Sequence, residues 1–347
     1  MVDAKTKEPL INASVYLNGT TIGNVTDAEG RFELFPKEHI FAQLIISYTG
    51  YEKTVIENPF EFMPDTIFLK ESDNTLNEVV VKGGKARFTE KQKRKAFREQ
   101  FLGMSKGGKS CKILNEDSIR LIYDPEANEL HAYCNVPVEV ENPYLGYRIR
   151  WELIDFTLVL NHRKSLYHGN LKHISVIGTA SFTDLEPDND KVNKRREDDY
   201  KLSKNRFFKL LANGELEGSN IHLIQVGKDG KGFGSSCHYG NWFNVPNNYT
   251  DENKFVKDIA VNKYATRNAA GEVSVIVIIS LRDITNIRGS FLMKTYYIDS
   301  HSKFNFLADT FKVDMYGNTN LTKDFYILGD MGNMRLGDQL PTDYLPQ

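Results

Sequence analysis

Residues 13–35 read ASVYLNGTTIGNVTDAEGRFELF. Asn18-Gly19, Gly23-Asn24 and the run from Asp27 to Gly30 punctuate short stretches rich in β-branched and aromatic residues, the pattern of strands joined by tight turns. On the C-terminal side follow LIISYTGYEKTVI (44–56) and DTIFLK (65–70), again short and without a helical period. Strands this brief at this spacing predict a small β-sandwich over residues 1–71. Gly30 and Gly50 stand where turns need positive φ, and Phe32, Tyr48 and Tyr51 are placed to alternate into its core.

The whole chain has 347 residues, enough for two or three domains each with its own core. Net charge is −2, so the overall field makes no case for nucleic acid. The charge is uneven, however: residues 82–112 hold 11 Lys or Arg against 2 Glu, a local +9 that leaves −11 for the remainder. The most apolar run, VSVIVIISL at 273–281, is too short for a membrane helix and reads as a buried strand. Cys111, Cys134 and Cys237 lie far apart, in no zinc or redox spacing.

Three segments of the first 70 residues, DAKTKEPLINASVYL, GNVTDAEGRF and ISYTGYE, together resemble the carboxypeptidase-D regulatory-like domain. The resemblance implies a transthyretin-like seven-stranded sandwich, common at the front of exported and outer-membrane proteins of Gram-negative bacteria. The family's first strand is missing here, and Met1 opens directly on a strand end, so a leader is expected ahead of it. SDNTLNEVVVKGGKA (72–86) reads as a linker around a short strand, Glu78 to Val81. It resembles the segment that follows this domain in TonB-dependent receptors. The 260 residues that remain are too few and too polar for a receptor barrel.

TEKQKRKAFREQFL (89–102) predicts a basic helix that buries Phe97, Phe101 and Leu102. From 111 onward the pattern returns to β, with a second helix over roughly 192–213 carrying Phe207, Leu210 and Leu211 as its apolar stripe. FREQFLG, CKILNEDSIRLIYDPEANELHAY, LGYRIRWELIDF and the terminal RLGDQLPTDYLP resemble uncharacterised exported proteins that carry the same sandwich. That resemblance implies export and brings no activity.

Residues 103–110, GMSKGGKS, fit the spacing of a phosphate-binding loop. Such a loop needs a strand before it and a helix after it. The predicted order here is reversed, so the segment is read as a helix-to-strand connector. Metallocarboxypeptidase chemistry needs H-x-x-E, and none of the eight histidines is followed by Glu three residues on. His162, His168 and His173 fall across a predicted hairpin and read as surface residues. DLEPDND (184–190) lacks the Gly and Glu of a calcium loop and is read as a solvated lead-in to the second helix. No metal, cofactor or catalytic residue is expected.

Three binding readings are kept. Lys91, Lys93, Arg94, Lys95 and Arg98 could contact an anionic membrane surface or an acidic partner, or form a solvated helix face. YGNWFNVPNNY (239–249) would suit a sugar ring through Tyr239, Trp242, Asn244 and Tyr249. GFGSSCHYG (232–240) offers Ser235, Ser236, Cys237 and His238 on a glycine-rich loop to a hydrolase.

The expectation is a mainly β protein with minor α. A transthyretin-like sandwich spans 1–71, a linker with the basic helix 72–110, and a β-rich domain with one or two helices 111–347, with a candidate division near 228. The expected function is non-enzymatic: a periplasmic, outer-membrane-associated or cell-surface protein, membrane-peripheral at most. Its sandwich serves as a structural or docking module toward a protein or glycan partner in the envelope, not toward nucleic acid. A carbohydrate-binding accessory protein is the first alternative and a hydrolase the second.

Overall fold

The computed structural model describes residues 1–72, 87–226, 232–237, 243–246, 256–261, 271–281, 285–288, 291–294, 298–319 and 325–346. Among the described residues it is mostly β with four α-helices. The chain forms two compact units: residues 1–36, 42–196 and 335–344 make the first, and residues 37–41, 197–334 and 345–347 the second.

The first unit opens with β1 (Val2–Asp3), β2 (Ser14–Leu17), β3 (Gly23–Val25), β4 (Leu44–Ser47), β5 (Thr54–Ile56) and β6 (Phe68–Leu69). These make a four-stranded antiparallel sheet in the order β3-β2-β4-β5 and a parallel pair β1-β6. Six strands are present rather than seven, and residues 31–43 form none. Gly30 and Gly50 have φ of 73° and 85°, the left-handed turns that only glycine adopts freely. Phe32, Tyr48 and Tyr51 are half-buried instead of central. Val15, Tyr16 and Leu17 are buried one after another. Consecutive burial means that β2 is covered on both faces, where a sandwich strand with one wet face would alternate.

The cover is the second sheet of the unit. Helices α1 (Glu90–Phe101) and α2 (Lys106–Ser110) precede β7 (Lys112–Ile113), β8 (Arg120–Asp124), β9 (Glu129–Tyr133), β10 (Val138–Asn142), β11 (Tyr147–Leu160) and β12 (Leu171–Asp184). β11 and β12 pair along their whole length, with register shifts at Leu153/Asp155 and Val159/Leu160. β10 and β9 share the opposite side of β11, at residues 147–151 and 157–159. Thr89 caps α1 through a reciprocal capping box with Gln92. Phe97, Phe101 and Leu102 are buried against Leu121, Val140, Phe156 and Leu158, so the predicted apolar face is the one used.

Helix α3 (Asp190–Lys201) and α4 (Lys204–Asn213) stand where one helix was expected over 192–213. The break falls at Ser203, whose Oγ accepts from Arg206 N and caps α4.

The second unit builds on α4 and ten strands: β13 (Ile221–Val226), β14 (Gly232–Cys237), β15 (Phe243–Asn244), β16 (Val256–Val261), β17 (Val273–Ile279), β18 (Thr285–Arg288), β19 (Phe291–Lys294), β20 (Ser300–Phe306), β21 (Thr310–Asp314) and β22 (Phe325–Gly329). The main sheet runs β14-β13-β17-β20-β22. β17 is the apolar run of 273–281 and sits near its middle, buried as the sequence implies. Phe207, Phe208, Phe304, Phe306 and Phe311 make the core a cluster of edge-to-face and stacked rings. Lys257 is buried and donates to the Ala212 carbonyl at 2.7 Å, placing a cation at the C-terminal end of α4.

Candidate functional site

In the first unit a seam joins the small sandwich to the edge of the large sheet. Asn18-Gly19, read as a plain turn signal, carries it. Gly19 N donates to Ala180 O at 2.7 Å and Phe182 N donates to Thr20 O at 2.9 Å. Asn18 Oδ1 accepts from Ala180 N at 2.9 Å. Thr20 and Ser181 form a parallel β-bridge. The turn thus caps the outer edge of β12, an edge that would otherwise offer unpaired groups to any passing strand.

Side chains reinforce the backbone. The Tyr16 hydroxyl lies 3.0 Å from Thr179 Oγ1 and 3.2 Å from Glu152 Oε1. Lys53 Nζ meets the other oxygen of Glu152 at 2.5 Å. Glu152 and Thr179 are opposite one another on β11 and β12, so alternation presents both to the sandwich. Burial and the neighbouring carboxylate hold the Tyr16 phenol well above its ordinary range.

A second seam brings together two motifs from opposite ends of the sequence. GMSKGGKS, read as a helix-to-strand connector, runs from α1 toward β7, and its residues 106–110 are themselves helical, with Ser105 as N-cap accepting from Gly108 N at 2.9 Å. Ser105 Oγ in turn donates to the Asp338 carboxylate. Gly337 N donates to Leu102 O at 2.9 Å, and Asn142 Nδ2 donates to Gly337 O at 3.0 Å. A Cβ on Gly107 would lie 2.2 Å from Gly337 O, and one on Gly337 would lie 2.3 Å from the Gly108 Cα. The glycines let two backbones touch. The anion beside the segment is the chain's own Asp338, whose carboxyl is pushed up by burial and drawn partly back by Ser105. Cys111, buried next to it, is a free thiol pushed up to about 12, first by burial and then by the Asp338 charge. A thiol so far from ionising is a core group rather than a nucleophile. Beyond the glycines, Thr342 N donates to Gly19 O at 2.7 Å and Asp343 accepts from Thr21 N at 3.0 Å. Residues 335–344 therefore strap α1, α2 and the sandwich together.

The basic helix is less available than its charge suggests. Lys93 donates to Leu121 O at 2.8 Å, Arg94 to Glu116 O at 2.8 Å, and Arg98 to Glu116 Oε2 at 3.0 Å and Cys111 O at 3.2 Å. These three fasten α1 to its own sheet. Lys91 and Lys95 are exposed, and Lys95 pairs loosely with Glu99 at 3.8 Å.

Of the four candidate sugar contacts only Asn244 lies among the described residues, exposed on β15; Tyr239, Trp242 and Tyr249 fall outside them, as do His238 and the linker strand at 78–81. Ser235, Ser236 and Cys237 lie on strand β14, paired with β13, and not on a loop. His162 and His173 are exposed at the β11–β12 hairpin. Among the described residues no three His, Cys, Asp or Glu side chains gather as metal ligands.

Asp184 departs from the solvated loop expected of 184–190. It holds Arg196 in a two-pronged pair, Oδ1 to Nη2 at 2.6 Å and Oδ2 to Nη1 at 2.8 Å. Arg196 is 3% exposed, lies 4.1 Å over the Tyr147 ring and also donates to Leu145 O at 2.8 Å. Nothing in the charged run DNDKVNKRREDD distinguishes this arginine from its neighbours. The only local signal is Gly146 ahead of Tyr147, at φ 68°, where a Cβ would meet Val192 at 2.8 Å.

Residues 1–81 match the family model described as CarboxypepD_reg-like domain. The N-terminal region is also similar to a TonB-dependent receptor. That relative is the TonB-dependent receptor SusC of Bacteroides thetaiotaomicron, 34% identical over 83 residues, which are 24% of this chain and 8% of the receptor. The chain thus spans less than a tenth of the length of the curated relative it matches. No solved structure matches the chain.

Proposed function

We propose that this chain is a non-enzymatic protein of the bacterial cell envelope whose CarboxypepD_reg-like domain is a fixed structural module. In this reading the sandwich supports and covers the sheet of residues 112–184, leaving the rest of the molecule to meet a protein or glycan partner. The observation that carries it is the pairing of residues 18–20 with residues 180–182. A domain that existed to swing on a linker would keep its turn free. The likeness of the N-terminal region to a TonB-dependent receptor supports an envelope location. The glycine seam supports a structural role for GMSKGGKS, since Gly337 and Asp338 already lie against it. The strand setting of Ser235, Ser236 and Cys237 weighs against the hydrolase reading, which needs a nucleophile on a strained turn.

The test is cell fractionation of the producing bacterium with an antibody to the full chain, combined with protease shaving of intact and permeabilised cells. Recovery with the envelope, in the periplasm or at the surface, supports the reading. Recovery in the cytosol, protected until the inner membrane is opened, overturns it.

A further inference from the structure

Strand β12 lies at the outer edge of the large sheet, and among the described residues β11 is the only strand it pairs with. Its edge is used along one stretch. Ala180 and Phe182 turn their backbone groups outward to Asn18, Gly19 and Thr20. In an antiparallel pair the outward groups recur at every second residue. The bulge near the middle of the pair adds its extra residue, Ile154, to β11, so the alternation on β12 runs unbroken from Phe182 back to Ile174. The N–H and C=O groups of Gly178, Val176 and Ile174 therefore face the same way, and among the described residues nothing pairs with them. The seam with the sandwich stops partway and leaves about 16 Å of edge open, at 3.3 Å per residue.

Side chains around the open stretch define what fits it. Ile177 lies on the same face as Thr179, opposite Asp155 and beside the bulge. Ile177 and Ile154 are 53% and 60% exposed, a small apolar step next to the edge. Past them the charge has one sign. Residues 156–183 include Arg163, Lys164 and Lys172 and no Asp or Glu, and Lys164, Lys172 and His173 are exposed. The acids on the Ile177 face of β9 and β11, Glu129 and Asp155, are taken up by His131 and Thr157. A second copy of the chain fits poorly. Centred on Val176, the 18–20 turn of one copy would lie where the strand of the other must run. Moved clear of the turns, the pairing would set Lys172 and His173 against the same cations of the partner copy.

We propose that the edge of β12 from Ile174 to Gly178 takes up an extended, acidic segment of a partner protein by strand addition. Main-chain hydrogen bonds to Ile174, Val176 and Gly178 hold the segment, an apolar side chain rests on Ile154 and Ile177, and its carboxylates meet Lys164, Lys172 and His173. This deepens the docking role proposed above and rests on the sandwich being fixed, because only a fixed turn sets where the open edge begins.

The experiment measures fluorescence anisotropy of labelled peptides with the full chain. Two peptides, each an alternating Val/Thr stretch with a run of Glu at its first or its last end, cover both strand directions. One of them is expected to bind, and the same peptide with Lys for Glu is not. N-methylation of one alternate set of its amides should abolish binding, while N-methylation of the other set spares it. V176P, which removes one outward N–H, should weaken binding roughly 5–10-fold, and I177E should weaken it as well. If V176P does not fold, the N-methylated peptides decide. Hydrogen exchange at Ile174, Val176 and Gly178 should be fast in the free chain and slow with the peptide. No binding by either peptide, equal binding of the Glu and Lys forms, or indifference to both sets of N-methyl groups overturns the proposal. So does slow exchange at 174–178 that follows protein concentration, which would mean a second copy. Failure of the fixed-sandwich reading shows elsewhere, as fast exchange at Gly19 and Ala180 with or without peptide.

Discussion

The amide of Gly19 donates to the carbonyl of Ala180 at 2.7 Å, so the tip of a hairpin turn in the small sandwich belongs to the hydrogen-bonding edge of the large sheet. Beside it buried Tyr16 reaches buried Thr179 and Glu152. Y16F removes the hydroxyl and leaves Thr179 short of a partner, while Lys53 still holds Glu152. The expected loss is about 1 kcal/mol, read from chemical denaturation at neutral pH. A variant as stable as the parent would mean that the seam carries no energy.

The glycine seam predicts a steric penalty where propensity alone predicts a gain. G337A would lower backbone freedom in the unfolded chain, yet its methyl would strike the Gly108 backbone. Backbone cannot rotate away as a side chain can. A loss of roughly 1–3 kcal/mol is expected, read from chemical denaturation of G337A beside the parent; a variant at least as stable as the parent would show that the two backbones do not touch there.

Arg196 is a buried cation whose partners are Asp184, the Leu145 carbonyl and the Tyr147 ring. R196M keeps the bulk and leaves Asp184 without its counter-charge, for an expected loss of about 3 kcal/mol. R196K should recover little of it, because one ammonium cannot reproduce two parallel hydrogen bonds and a stacked plane. Thermal unfolding of both variants checks this.

Acid sensitivity should centre on Asp3. Its carboxylate accepts from the Tyr51 hydroxyl at 2.6 Å and from the amides of Thr6 and Lys5 at 2.7 Å each. The Tyr51 bond foremost, then the Thr6 amide, holds its pKa down to about 2. A folded pKa below the unfolded value stabilises the protein above the unfolded pKa, and that contribution fades as pH falls from about 4 to about 2. D3N should therefore be less stable than the parent at pH 7, with the gap closing toward pH 2. A gap that does not change with pH would show that the charge of Asp3 is not what matters.

Local signals in this chain were legible where one segment decides the outcome. The turn glycines at 30 and 50, the buried face of α1, and the buried strand at 273–279 all follow from spacing and residue type within a dozen positions. What could not be read is which distant segments meet. Gly107, Gly108 and Gly337 look like loop residues because glycine has no side chain to declare a partner. Arg196 sits in a run of charges that predicts a wet helix, and only the three-dimensional neighbourhood of Tyr147 and Asp184 makes it a buried one. Lys93, Arg94 and Arg98 read as a surface because their partners are backbone carbonyls, which sequence never displays.

The central claim, that the CarboxypepD_reg-like domain is fixed to the sheet beside it, is tested most directly by native-state hydrogen exchange resolved at Gly19, Ala180, Phe182 and Thr342. Those amides donate across the seam or, for Thr342, from the strap to Gly19. The account predicts that all four exchange slowly and lose protection together, in one cooperative opening shared with β2 and β12. Fast exchange at Gly19 and Thr342 while β2 stays protected would contradict it, and would describe a domain that is folded but loose.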